Sequence, residues 1–301
     1  MAKRKRRTVR KMKQSFLRSS FKAEFPFFMM MPALLWQVLF FYIPFAVIIS
    51  LSVVKNVSLG LSGGLTLDHF RALFDWPHFK IIMRSLIFAF FNALTCLFLA
   101  YPTAYFLARK VKRMKNFFIF LLLLPFWINM VVQIYAWFFL LEHDGLVNML
   151  LMKSGIISQP LYILNSLGSI FVVLAYCYLP FMVMPLYTSL EKIDEQLIEA
   201  SNDLGGDNWK TFFKITLPLS GSGIKTGFFL VFIPSYGEFL IPTVVGGSKY
   251  MFVGSGISHY FLTAHDSSAG AAFTVLSGCV LLVASLFLVG IVGKKIEHML
   301  K

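Results

Sequence analysis

Glu199-Ala200-Ser201-Asn202-Asp203-Leu204-Gly205 and, nine residues further on, Ile215-Thr216-Leu217-Pro218 stand in a polar island between long apolar runs. Ile193, Leu197, Ala200 and Leu204 recur at helical spacing, with Glu191, Asp194, Glu195, Gln196, Asn202 and Asp203 on the other face. Gly205-Gly206 is expected to stop this helix, because glycine accepts the left-handed conformation that follows a helix C-terminus. Asp207 then caps a second short helix through Phe213, with Trp209, Phe212 and Phe213 as its apolar residues. Pro218 ends it ahead of the next apolar run. The reading is a helix–glycine–helix elbow whose apolar side requires a groove. From 191 to 220 there are six acids against three bases. Helices that lie on anionic headgroups carry the reverse bias, so a protein socket suits the elbow better than lipid.

Around the elbow the composition is that of a membrane protein. The 301 residues are 57% hydrophobic, 17% aromatic and only 14% charged, with a mean hydropathy of +0.73. That is too little charge to cover a soluble surface. A bilayer crossing takes about 20 apolar residues. Six stretches qualify, at 27–54, 85–108, 117–141, 166–190, 226–248 and 271–293, which together form one expected transmembrane domain, 27–293, with the polar segment 191–220 inside it. Pro32 and Pro44 interrupt the first, and the fifth contains a single charge, Glu238. The expected fold is all-α and polytopic, with six transmembrane helices.

The net charge of +14 is unevenly placed, with ten of the 28 Lys and Arg residues between Lys3 and Lys22. Ahead of a hydrophobic helix, such a basic arm (1–26) fixes topology and touches lipid headgroups rather than nucleic acid. The apolar stretch that follows is too long for a cleavable signal peptide. Lys- and Arg-rich connections alternate with poor ones. The arm, Arg109 to Lys115, 191–225 and the tail 294–301 fall inside; the loops 55–84, 142–165 and 249–270 fall outside. Both termini are therefore expected in the cytoplasm. Cys96, Cys177 and Cys279 lie in apolar runs and read as packing residues. The histidines form no H-x-x-x-H or H-x-H pair, and G-x-S-x-G and G-x-x-x-x-G-K-[ST] motifs are absent. The chain is thus expected to hold no metal, no catalytic residue and no nucleotide of its own.

The spacing E-A-A/S, three residues, G, nine residues, I-x-L-P is similar to the signature of the membrane subunits of bacterial ABC importers, with Ser201 in place of the second Ala. With six spans around it, the chain resembles a type I ABC importer permease. Leu124-Pro125-Phe126-Trp127-Ile128-Asn129 with Ile134-Tyr135-Ala136-Trp137 resembles the third span of spermidine/putrescine permeases. So does Tyr178-Leu179-Pro180-Phe181-Met182-Val183-Met184-Pro185-Leu186-Tyr187, which runs into the elbow, and Tyr236-Gly237-Glu238-Phe239-Leu240-Ile241-Pro242 with Gly246-Gly247 resembles the fifth span. The likeness covers roughly residues 27–295. Two departures stand out: Gln133 where the family often has Arg, and Ala264-His265-Asp266-Ser267-Ser268 where an Arg-Asp-Trp-Pro-like turn is expected.

The resemblance implies a permease forming half of a polyamine pathway across the bacterial inner membrane. It implies a heterodimer with a second, similar permease, two copies of a cytoplasmic ABC ATPase that carry the ATP and Mg, and a periplasmic or extracellular substrate-binding protein. Glu199, Ala200, Ser201, Gly205, Ile215, Leu217 and Pro218 become the ATPase-coupling residues. An opine, an aminophosphonate or ferric iron remains open as substrate, and an ATP-independent secondary transporter remains the rival class. Glu238, between Pro234 and Pro242, reads either as a contact for a cationic amine or as a partner of a Lys, an Arg or backbone that holds two helices. Tyr236, Trp127, Tyr135 and Trp137 offer cation–π faces to a substrate, or act as interfacial anchors. Glu142 and Asp144 at the outer mouth of the third span either attract polycations or belong to a solvated loop.

Overall fold

The computed structural model describes residues 30–55, 64–111 and 113–300, with only the backbone for 291–300. The basic arm 1–26 and Lys301 of the tail lie outside these residues. Helix α1 (Met30–Val53) is followed by the short α2 (Asp68–Leu73) and the long α3 (Trp76–Arg109). Next come α4 (Lys115–Trp127), α5 (Met130–Leu141), α6 (Leu146–Lys153) and α7 (Leu167–Glu191). The elbow is α8 (Glu195–Asp203) and α9 (Asn208–Leu219). The chain closes with α10 (Gly221–Tyr236), α11 (Leu240–Val244), α12 (Val253–Ser258) and α13 (Ser267–Leu300). Among the described residues, four helices are long and apolar enough to cross a membrane, and two bent pairs raise the number to six if each pair makes one crossing.

The centre of the molecule is the packing of α3, α7 and α10. Ala89, Ala93, Cys96, Ala100 and Ala104 form a stripe along α3 with no exposed surface. Small residues let helix backbones approach closely, which is the main source of association where lipid offers no hydrophobic drive. At Gly223 of α10 a Cβ would lie 2.7 Å from the Pro185 backbone oxygen and 2.6 Å from Ser189 Cβ of α7, so nothing larger than glycine fits there. Polar pairs pin the register: Asn92 Nδ2 donates to Ser235 Oγ at 2.9 Å, and Cys96 Sγ approaches Ala175 O at 3.6 Å. Helix α1 packs mainly on α13 and keeps a broad apolar surface exposed in the single chain, with Ser52 its one buried residue.

Four of the expected spans come out differently. The second runs from Trp76 rather than from 85; its N-terminal end is capped by Asp75, whose Oδ1 accepts from the His78 N–H at 3.0 Å. The same His78 backbone and ring hold the Asp75 carboxyl below its usual range. The third span is two helices rather than one, bent by 91° between Trp127 and Met130. Pro125 ends the first regular stretch, and Asn129 Oδ1 caps the second by accepting from Val131 N at 2.8 Å. The fifth span stops at Tyr236 and re-forms as α11, so 226–248 is also broken. In the last helix the backbone stays helical through 294–300, where a tail was expected.

Prolines are absorbed by π turns. In α1 the Ile43 N–H reaches back five residues to Val38 O immediately before Pro44, and in α9 Leu217 N–H reaches Phe212 O immediately before Pro218. A proline has no N–H and crowds the carbonyl four residues back, so a wider turn re-pairs the backbone beside it. Pro218 therefore does not end the second elbow helix, as its sequence position suggests. Helix continues to Leu219, and a 62° bend falls at Ser220.

Candidate functional site

The elbow is built around a helix stop of defined geometry. Gly205 has φ +78°, and the Gly206 N–H bonds Ser201 O at 2.8 Å, the six-to-one bond of a Schellman turn. Gly206 is equally constrained: a Cβ there would lie 2.6 Å from Ser201 Oγ and 2.7 Å from Ser201 O. Asp207 caps α9, its Oδ1 accepting from Lys210 N at 2.7 Å. Ser201 Oγ and Thr211 Oγ1 lie 2.9 Å apart and tie the two helices together. The departure from Ala at 201 thus supplies a hydrogen bond across the elbow.

The apolar face is not the one that the spacing suggests. Ile193 precedes α8 and is buried in the core, while Asp194 caps that helix by accepting from Gln196 N at 3.0 Å. Leu204 lies past the helix end and is 89% exposed. Leu197, Leu204, Trp209 and Phe213 form the exposed apolar set of the elbow, with Glu199, Ala200 and Gly205 also exposed. Ile215 and Leu217 are half-buried and Pro218 is buried, so these three seat the elbow's return rather than present a surface.

Between the broken third span, α7 and α10 lies an open groove of about 650 Å³. Its walls include Asn129, Gln133, Tyr178, Phe181, Phe229 and Ile233. Gln133 staples the break: its Nε2 donates to Ile128 O at 3.1 Å and also to Pro125 O. Pro125 O also accepts from Ile128 N at 3.1 Å, so the amide adds a second contact there and supplies a side-chain donor at Ile128 O. Glu238 sits behind the groove wall at 9% exposure. Its Oε2 accepts from Tyr178 OH at 2.7 Å, and its Oε1 accepts from Phe239 N at 3.1 Å and Leu240 N at 2.9 Å. The carboxylate is thus saturated by a phenol and by the first N–H groups of α11, and no Lys or Arg pairs with it among the described residues.

None of the five path candidates lines this groove. Tyr236 is 3% exposed and donates to Ser277 O at 3.2 Å, which places it in the packing against α13. Trp137 stacks edge-on against Tyr176 at 5.2 Å. Trp127 and Tyr135 are exposed, at 82% and 47%, on the outer surface of the bent pair. Glu238 reaches the groove only through Tyr178.

Residues 97–298 match the family described as the binding-protein-dependent transport system inner membrane component. The chain belongs to this family. Relatives of this transport component include the spermidine/putrescine transport system permease protein PotB of Escherichia coli K12, 37% identical over 253 residues, covering 82% of this chain and 92% of that protein. The permease of the same description in Haemophilus influenzae is 32% identical over 255 residues, covering 84% and 88%. Among solved structures, a bacterial alginate ABC transporter in complex with an alginate pentasaccharide-bound periplasmic protein superposes with a TM-score of 0.70 at 18% identity, covering 89% of this chain and 94% of that one. The likeness in structure places this inner-membrane component in the fold of ABC importer permeases.

Sequence reasoning missed two residues of this transport component. Tyr178 stood within a quoted motif, and its pairing with Glu238, sixty positions away, has no local signal. Gln133 was marked only as a departure, although an amide eight residues after a proline has the reach to serve that proline's carbonyl. The 264–268 departure also has a local use: His265 takes φ +52°, and Asp266 Oδ1 accepts from Ala269 N at 2.9 Å to cap α13.

Proposed function

We propose that the chain is the permease subunit of an ATP-driven importer for a polyamine, forming half of the pathway. The observation that carries the substrate class is the 37% identity, over 82% of the chain, to spermidine/putrescine permeases. In this reading a second, similar permease completes the pathway as a heterodimer. Two copies of a cytoplasmic ATPase hold the ATP and Mg and dock on the elbow, and a binding protein delivers substrate from outside. The termini and the elbow lie on the cytoplasmic side. Glu199, Ala200, Ser201, Gly205, Ile215, Leu217 and Pro218 couple the ATPase to the spans, the first four at the contact and the last three at the root.

The groove suits an amine with a methylene chain. Its walls are mostly apolar, with Asn129 and Gln133 as polar side chains, and they include Tyr178, whose hydroxyl is committed to a carboxylate. Glu238 then acts behind the wall, by orienting Tyr178 and holding the start of α11, rather than by touching the cation. The test is uptake by the assembled complex in vesicles, with the binding protein loaded in turn with putrescine, spermidine, an opine or ferric iron. Uptake and ATP hydrolysis stimulated by a polyamine is the expected result. Stimulation by a non-amine alone would overturn the substrate class and leave the importer class standing.

A further inference from the structure

We infer that one face of α3 grips both roots of the elbow, making Arg109, Tyr105 and Tyr101 the positioning residues that carry elbow displacement into the spans, with Lys115 bracing the same root. This rests on the reading of the elbow as the ATPase contact. Tyr101, Tyr105 and Arg109 are spaced four residues apart and so lie on one side of α3 near its cytoplasmic end. At the entry root the chain leaves α7 at Glu191 and turns before α8. Arg109 Nη2 donates to Ile193 O at 2.8 Å within that turn, and the Ile193 side chain is buried below it. Lys115, at the start of α4, pairs with Glu191 Oε1 at 2.5 Å and lies 5.2 Å from the Tyr187 ring centre.

At the exit root the same helix face repeats the grip. Tyr101 OH and Ser220 Oγ are 2.9 Å apart, and Ser220, at the bend after α9, has no exposed surface. The Tyr101 and Tyr105 rings meet Phe212 edge-on at 5.6 and 6.3 Å. Between these two attachments, Leu204 and Trp209 are 89% and 71% exposed. A pull on the exposed part therefore reaches α3 at two points about two helical turns apart, a lever rather than a pivot. Helix α3 is also the helix packed most closely against α7 and α10, the walls of the groove.

The test uses the full complex in proteoliposomes and reads transported substrate per ATP hydrolysed, beside ATPase co-purification. Arg109→Met should lower transport per ATP about tenfold with the ATPase retained, and Arg109→Lys should recover part of it. Lys115→Glu and Glu191→Lys should each lower it about threefold, because each sets like charges face to face. The double variant Lys115→Glu/Glu191→Lys should return to within about 1.5-fold of wild type, which a general loss of folding could not do. Unchanged transport per ATP in the single variants, or no recovery in the double, overturns the grip. A wild-type complex in which Trp209 fails to crosslink to the ATPase faults the elbow reading instead. An intact crosslink with unchanged coupling faults the grip alone.

Discussion

Glu238 and Tyr178 behave as one unit at the residue scale. Removing either partner leaves the other's polar atom buried and unpaired, at a cost of about 1–3 kcal/mol. Tyr178→Phe and Glu238→Gln should each reduce uptake about tenfold while the complex still assembles. The double variant should be no worse than the poorer single, since both remove the same contact. Additive losses would mean that Glu238 also acts apart from Tyr178, at the start of α11 or on the cation. Gln133 offers a sharper contrast. Gln133→Ala removes the side-chain donor to the Pro125 and Ile128 carbonyls at the bend, whereas Gln133→Arg retains donors for both. Thermal stability in detergent should fall for Ala and stay near wild type for Arg; equal loss in both would remove the staple from the explanation.

At the scale of elements, the elbow was readable because its determinants are local. The glycine stop, the Asp207 cap and the two short helices each follow from residues within one turn of the feature. The exposed face was misread because spacing assumes an unbroken helix, and the Asp194 cap starts α8 after Ile193. The breaks in the third and fifth spans were likewise hidden, since uncharged residues give no periodic signal within a run that is apolar on all sides. Pro125 and Pro234 mark them only in hindsight, because Pro102, Pro180 and Pro185 lie inside helices that continue. Gly205 needs φ and not space, as nothing lies within 4 Å of a Cβ there. Gly205→Asn should therefore keep near-normal coupling, while Gly205→Val, with about 1–2 kcal/mol or more of backbone strain, should insert normally and lose it. Gly206→Ala should disrupt the turn by collision with Ser201 O. Uptake normalised to membrane-inserted protein distinguishes the three, and wild-type uptake in Gly205→Val would contradict the elbow's role.

For the whole molecule, composition and the spacing of uncharged runs were enough to read an all-α membrane fold, because a bilayer imposes element length directly. What they could not reach is how the spans meet. The α3–α7–α10 packing depends on which small residues face one another, and the groove opens at the bend of the third span. The most direct measurement is site-specific photo-crosslinking in membranes of the complete complex, with the crosslinker at Trp209, and at Trp127 as a control. Trp209 should crosslink to the ATPase, with a yield that changes between ATP-bound and nucleotide-free states, and Trp127 should not. If Trp209 crosslinks only to lipid or to this chain itself, the elbow is not the ATPase contact and the coupling mechanism built on it fails.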